Sequence, residues 1–122
     1  MTSSVPDRRS PCPVACTLDL IGDRWTLLIV RDLLFGYRHF HDFMNSPEGI
    51  ASNILTDRLA RLQTLGLVQK QNDPTDRRRI TYTLTPLGQS LRPILRTMAD
   101  WGLHHLPGTR EARSAPTTHP QS

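Results

Sequence analysis

The sequence predicts a small, mainly α-helical domain carrying a single β-hairpin. Three observations lead to this. Apolar residues recur at helical spacing in five stretches, each opened or closed by a glycine, a proline or a small polar residue. Two β-prone stretches flank the turn Asp73-Pro74-Thr75-Asp76. At 122 residues the chain has room for one domain only. The expected order is helix, helix, short helix, helix, hairpin, long helix. A short helix, a glycine-containing turn and a following helix form a helix-turn-helix, and the hairpin directly after it forms a wing.

The first helix is Pro11 to Ile21, with Val14, Leu18 and Ile21 at helical spacing and prolines suited to a first turn. Gly22 closes it. Asp23 opens the second helix, Arg24 to Phe35, where its carboxylate can accept free backbone N–H groups. Trp25, Leu28, Ile29, Leu33 and Leu34 give that helix a wide apolar face, and Gly36 ends it in a left-handed cap. His39 to Asn45 makes the short helix, with Phe40, Phe43 and Met44 on one side. Ser46-Pro47-Glu48-Gly49 is a turn. Ala51 to Leu65 is the next helix, with Gly66 after it. Leu67 to Asn72 and Arg79 to Leu84 read as strands. Thr85-Pro86 starts the last helix, a hydroxyl cap followed by proline, and that helix runs to about Leu106. Gly88 in its first turn has no explanation from local physics.

Both ends read as unpacked. Residues 1–10 are polar, and 107–122 are rich in Pro, Ser and Thr without a large apolar residue. The domain is therefore expected over 11–106, with disordered tails on either side. Composition is that of a soluble globular protein, 37% hydrophobic and 21% charged. Lys+Arg number 15 against 11 Asp+Glu, a formal net charge of +4, which favours a polyanionic partner. No apolar run approaches the roughly 20 residues of a membrane span, so no membrane partner is expected. The opening MTSSVPDRRSPCP has no apolar stretch after its charges and does not read as an export signal, so the expected compartment is the cytoplasm. There the 2 Cys are not expected to form a permanent bridge.

The helix from Ala51 to Leu65 carries the most information. Leu55, Leu59 and Leu62 share one face, at about 100° per residue. Asn53, Asp57, Ala60, Arg61 and Thr64 lie opposite, with Thr56 and Gln63 on a shoulder and small polar residues, Ser52 and Asn53, at the start. Such a helix can seat its leucines on a core and place short polar groups in a major groove. Asn and Arg make bidentate contacts to base edges, and Ser and Thr bind bases or phosphates. An ordinary amphipathic surface helix shows the same face; the element order favours double-stranded DNA. Ser52, Asn53, Thr56, Asp57 and Arg61 are the candidate readers, while Arg58, at the edge of the leucine stripe, is expected to be structural. In the wing, Arg77, Arg78 and Arg79 follow two carboxylates, Asp73 and Asp76. Arginines at the tip can enter a minor groove or bind phosphate, with Asp76 steadying one guanidinium. A solvated charge run is the alternative. Arg38 and His39 are further candidate DNA contacts, His39 to a phosphate.

The ordered set Cys12-Pro13-Val14, Gly22-Asp23-Arg24-Trp25-Thr26, Arg38-His39-Phe40, Gly49-Ile50, Leu55-Thr56-Asp57-Arg58-Leu59, Leu65-Gly66-Leu67-Val68, Tyr82-Thr83-Leu84-Thr85-Pro86-Leu87-Gly88 and Ala99-Asp100-Trp101-Gly102 resembles the HxlR-type transcriptional regulators over roughly residues 11–103. The wing Asp73-Pro74-Thr75-Asp76-Arg77-Arg78 is closer to the related MarR-type pattern. Ala51 stands where the HxlR type often has Ser or Thr as helix cap, and Ser52 is expected to take over that job. The resemblance implies a homodimer on an inverted-repeat operator, commonly as a repressor. Apolar residues of the first and last helices would form its interface: Val14, Leu18, Leu91, Leu95, Met98 and Trp101. Intramolecular core is the alternative for that set.

Cys12 begins a helix, where free N–H groups and the helix dipole favour a thiolate, and Arg8 and Arg9 lie nearby in sequence. Some HxlR-type members sense oxidants or electrophiles with a cysteine at this position. The resemblance thus implies a redox-sensing role for Cys12, against an inert cysteine as the alternative. Cys16, one turn on, is expected to be packing. Cys12, Cys16, His104 and His105 match no standard zinc spacing, so neither a metal nor a cofactor is expected. The sequence has no phosphate-binding glycine loop, no nucleophile elbow and no paired catalytic carboxylates, so an enzyme is not expected. A winged-helix protein-interaction module without DNA binding stays open, as does a MarR-like repressor answering to a small-molecule inducer.

Overall fold

A computed structural model of the chain describes residues 10–116. The elements run α1 (Pro13–Ile21), α2 (Thr26–Phe35), α3 (Phe40–Met44), α4 (Ser52–Thr64), β1 (Val68–Asn72), β2 (Ile80–Leu84), α5 (Pro86–Gln89) and α6 (Arg92–His105). This is the expected winged helix-turn-helix: α3, the turn and α4, then an antiparallel hairpin in the register Val68↔Leu84 to Asn72↔Ile80. Among the described residues no helix is long and apolar enough to cross a membrane.

The core is assembled around α4. Leu55, Leu59 and Leu62 are buried and pack with Ile29, Val30 and Leu33 of α2, Phe43 of α3, and Val68 and Tyr82 of the hairpin. Each such side chain contributes roughly 1.5–3 kcal/mol on burial. Phe43 meets Tyr82 edge-on at 6.2 Å between ring centroids, which fixes α3 against the wing. The backbone N–H of Tyr82 also donates to the Arg38 carbonyl at 2.8 Å, so the loop before α3 runs beside β2. α2 begins two residues later than its sequence suggests. The carboxylate of Asp23 accepts the N–H groups of Trp25 (2.9 Å) and Thr26 (3.1 Å) and the Thr26 hydroxyl, capping the helix from outside. Gly36 closes α2 at φ 109°, where an L side chain is strained.

The long last helix is broken in two. Thr85 caps α5 as expected, its hydroxyl accepting the Gly88 N–H at 3.1 Å, but the helix stops at Gln89 and restarts at Arg92. Pro93 is the cause: it has no N–H to give to the Gln89 carbonyl, and its ring would strike that carbonyl in a continuous helix. Gly88 now has its explanation. A β-carbon there would sit 2.2 Å from the Leu67 carbonyl oxygen and 2.8 Å from Leu84 Cδ2, so only glycine lets α5 lie directly on the hairpin.

The C-terminal stretch departs from the expected unpacked tail over 107–116. Arg113 donates to the buried carboxylate of Asp32 (2.8 Å) and to the Asp42 carbonyl (2.8 Å), and stacks over the Tyr37 ring at 3.8 Å. Tyr37 Oη donates to the Ser114 carbonyl at 2.9 Å. One guanidinium meeting a buried carboxylate and an aromatic face secures a segment whose composition alone offers no core residue. Residues 1–9 and 117–122, the remainder of the two expected tails, lie outside the described residues.

Candidate nucleic-acid interface

Three arginines and one glutamate set the pose of α4. Arg58 Nε donates to Asp23 at 3.0 Å, tying α4 to the start of α2, while its Nη1 meets Asp57. Arg61 Nη2 donates to the carbonyls of Asp19 (2.8 Å) and Leu20 (3.1 Å), covering the exposed end of α1. Arg31 grips Glu48 with both terminal nitrogens at 2.9 Å, which pins the α3–α4 turn to α2. Burial pulls the Asp23 carboxyl upward, but bonds from the Thr26 hydroxyl, the Trp25 N–H, Arg58 and the Thr26 N–H outweigh it. They hold Asp23 well below the usual carboxylate range. Glu48 is held low chiefly by Arg31. Asp32 is pushed up, because its burial outweighs Arg31 and Arg113.

What α4 leaves outward is its polar flank. Ser52, Asn53, Thr56 and Asp57 are exposed in the first two turns. Thr56 Oγ1 donates to the Ser52 carbonyl at 2.9 Å, leaving the hydroxyl's lone pairs outward. The Asn53 side chain has no hydrogen-bond partner among the described residues. The cap residue is Ala51, and no side chain caps the helix. Ser52 therefore does not take over the capping job, since it lies inside the helix as its first residue. The first N–H groups of α4 are left for an external acceptor, a role a phosphate oxygen fills well.

Two candidates are placed differently from expectation. Arg61 is exposed, but its guanidinium caps α1 in place of reaching outward. His39 is turned inward: its side chain is 17% exposed, with Nδ1 3.4 Å from Asp42 and Nε2 3.8 Å from Asp73. The His39 N–H donates to the Asp42 carboxylate at 3.0 Å, so the residue opens α3 with its ring beside two carboxylates. Arg38 next to it is exposed.

The wing tip is ordered by its carboxylates. Asp73 Oδ1 accepts the N–H (2.8 Å) and hydroxyl (2.7 Å) of Thr75, and the Asp73 N–H donates to the Arg79 carbonyl at 2.7 Å. The Thr75 hydroxyl is the first cause holding Asp73 below its ordinary pKa. Arg77, Arg78 and Arg79 are all exposed, and Arg78 is 92% so, with only a 3.5 Å contact to Asp76. These are exposed cations on a defined backbone, adjacent in sequence to the helix-turn-helix.

The expected interface residues divide. Val14, Leu18, Met98 and Trp101 are exposed, and none of the 14 residues of α6 is buried. Leu91 instead lies in the chain's own core and Leu95 is half-buried against it, because the break before α6 turns Leu91 inward. Cys12 is exposed and precedes the first turn of α1; its N–H donates to Ser10 Oγ at 3.0 Å. Cys16 is half-buried and its thiol donates to the Ser10 carbonyl at 3.2 Å. Both are free thiols, and Arg8 and Arg9 lie outside the described residues. Sequence reasoning missed the Arg31–Glu48 clamp and the Asp32–Arg113 pair; a buried aspartate in an apolar helix was the one signal for the latter.

Comparison with known proteins agrees with this geometry. The HxlR-like helix-turn-helix family model matches residues 20–110. The HTH-type transcriptional regulator YdeP of Bacillus subtilis is 32% identical over 91 residues, 75% of this chain and 71% of that protein. The crystal structure of PA1607 superposes with a TM-score of 0.77 at 33% identity, over 94% of this chain and 84% of that one. The redox regulator HypR in its oxidised form superposes with a TM-score of 0.69 at 30% identity, over 77% of this chain and 97% of that one. The chain therefore belongs to the HxlR-like helix-turn-helix family and is a transcriptional regulator of the HxlR/MarR-like winged-helix type.

Proposed function

We propose that the chain works as a cytoplasmic homodimer that binds an inverted-repeat DNA operator sequence-specifically and represses transcription, without enzymatic activity. The observation that carries this reading is the division of α4: Leu55, Leu59 and Leu62 sealed in the core, Ser52, Asn53, Thr56 and Asp57 presented outward. Asn53 and Thr56 read base edges in the major groove, and the free N–H groups at the start of α4 hold a phosphate. Arg38, Arg77, Arg78 and Arg79 contact the backbone or the minor groove beside it. The exposed faces of α1 and α6, with Val14, Leu18, Met98 and Trp101, support a two-fold dimer that spaces two α4 helices about one DNA turn, roughly 34 Å, apart.

Cys12 answers to oxidants or electrophiles in this reading. Its support is an exposed thiol at the start of α1, on the proposed dimer face, together with the structural likeness to HypR. Selection of bound fragments from genomic DNA, followed by titration at rising salt, tests the proposal. One enriched palindromic site is expected, with affinity falling steeply as salt rises and a large preference over random DNA. Equal affinity for all fragments contradicts it. Diamide treatment is expected to change operator affinity in the parent chain and not in Cys12→Ser.

A further inference from the structure

We infer that Asp32, Tyr37 and the Asp42 carbonyl form a guanidinium-binding site, filled by the chain's own Arg113, and that residues 110–116 are a detachable strap held on the helix-turn-helix by that side chain. The site is built from the body of the domain. Asp32 lies within α2 and is 2% exposed, Tyr37 follows the Gly36 cap, and Asp42 belongs to α3. A guanidinium satisfies all three at once. Arg113 Nη1 donates to Asp32 Oδ2 at 2.8 Å, and Nη2 donates to the Asp42 carbonyl at 2.8 Å. Its central carbon lies 3.8 Å from the centre of the Tyr37 ring. An ammonium has neither the flat face for the ring nor the fork for two fixed acceptors.

Little else holds the strap. Residues 110–116 form no helix or strand, and only Arg113 and Pro116 are even half-buried. Among the described residues, its other hydrogen bond to the domain runs from Tyr37 Oη to the Ser114 carbonyl, at 2.9 Å. A segment with so few anchors opens locally at low cost. Emptying the site is harder, because Asp32 would lose one of its two cations while staying buried. Exchange of one guanidinium for another is therefore favoured over a vacancy.

The occupant bears on α4 through a row of alternating charges. Asp32 Oδ2 accepts Arg113, and Oδ1 accepts Nε (3.0 Å) and Nη2 (2.9 Å) of Arg31. Arg31 in turn grips Glu48 in the turn before α4. Without Arg113, Asp32 keeps only the cation it shares with Glu48, and the turn loosens. The effect on operator binding rests on the regulatory reading above; the site itself does not.

NMR of the isotope-labelled full chain tests this, with methylguanidinium as the probe. In the parent chain the amides of residues 111–115 should be as ordered as those of the helices. Arg113→Ala should free them. It should also speed exchange of the Ser46 and Gly49 amides, which bond the Phe43 and Ser46 carbonyls, about tenfold or more, with Leu59 in α4 changed less than about threefold. Methylguanidinium should restore the two turn amides in Arg113→Ala, half-maximally at about 10 mM, while methylammonium at equal concentration does not. In the double variant Asp32→Asn/Arg113→Ala it should restore nothing. Arg113→Lys, which keeps a cation and folds if the alanine variant does not, should free residues 111–115 and leave the turn protected. Uniform acceleration of all amides, rescue by either cation alike, or an ordered strap in Arg113→Lys overturns the proposal. Operator affinity is measured separately and should fall about tenfold in Arg113→Ala, returning with methylguanidinium alone. A parent chain that binds no operator would sink the regulatory reading and leave the NMR result standing. A loosened turn with unchanged operator affinity would remove the coupling to α4.

Discussion

Helices α4 and α6 are of similar length and both amphipathic, yet their apolar sides meet different fates. On α4 three leucines are wholly buried by the chain itself; on α6 no residue is buried, and Met98 and Trp101 stand more than half exposed. The sequence pattern of the two helices is alike, so the difference is tertiary. α4 follows α3 through a turn clamped by Arg31–Glu48 and is roofed by the hairpin. α6 leaves the core at the break made by Pro93, with Leu95 half-buried against it and Ile94, Met98, Trp101 and Leu103 exposed. A helix seated internally fixes a polar face; a helix left uncovered is available for the dimer contact proposed above.

The largest expected effect separates the two directly. Leu59→Ala in α4 should destabilise the folded chain by about 2–5 kcal/mol in urea unfolding, as buried leucine truncations do. Trp101→Ala in α6 should barely move the unfolding of dilute monomer, yet weaken self-association by about 2 kcal/mol or more in sedimentation equilibrium. Equal loss of monomer stability from both substitutions would erase the distinction.

Next in size is the Asp23 cluster that seats α4. Its folded pKa lies below the unfolded value of about 3.9, so the stabilisation is complete above that pH and is lost as pH falls through the carboxylate range. Asp23→Asn should cost about 1 kcal/mol near neutral pH through the weakened cap and flatten the decline of urea midpoints below about pH 4. Glu48, also held low, leaves a residual acid slope in the variant. Smaller still is Arg61→Ala. It should lower stability by about 0.5–1 kcal/mol through the uncovered α1 carbonyls, and change operator preference little, since its guanidinium is turned away from the reading face.

What was legible in the sequence follows the range of the forces involved. The leucine spacing of α4, the Gly36 cap and the Thr85-Pro86 start are local, and each stands where sequence alone puts it. The break before α6 was also local, because Pro93 sits four residues after Gln89, but a strong helix start masked it. Gly88 and Arg61 act across elements: one leaves room for the Leu67 carbonyl, the other reaches the last turn of α1. A helical wheel sees neither. His39 was hidden for a related reason, since α3 and the wing close over it only once the hairpin folds back. Arg113 sits in a Pro- and Ser-rich stretch whose composition says nothing of the buried Asp32 it meets.

The central claim is that the outward flank of α4 reads base edges, and Asn53 is its most direct probe. Binding of the parent chain and Asn53→Ala should be measured against a selected operator carrying every single-base change. Discrimination at one position in each half-site is expected to fall by about 1–3 kcal/mol, with the other positions unaltered. An unchanged preference at every position, or a uniform loss across all sequences, would contradict it.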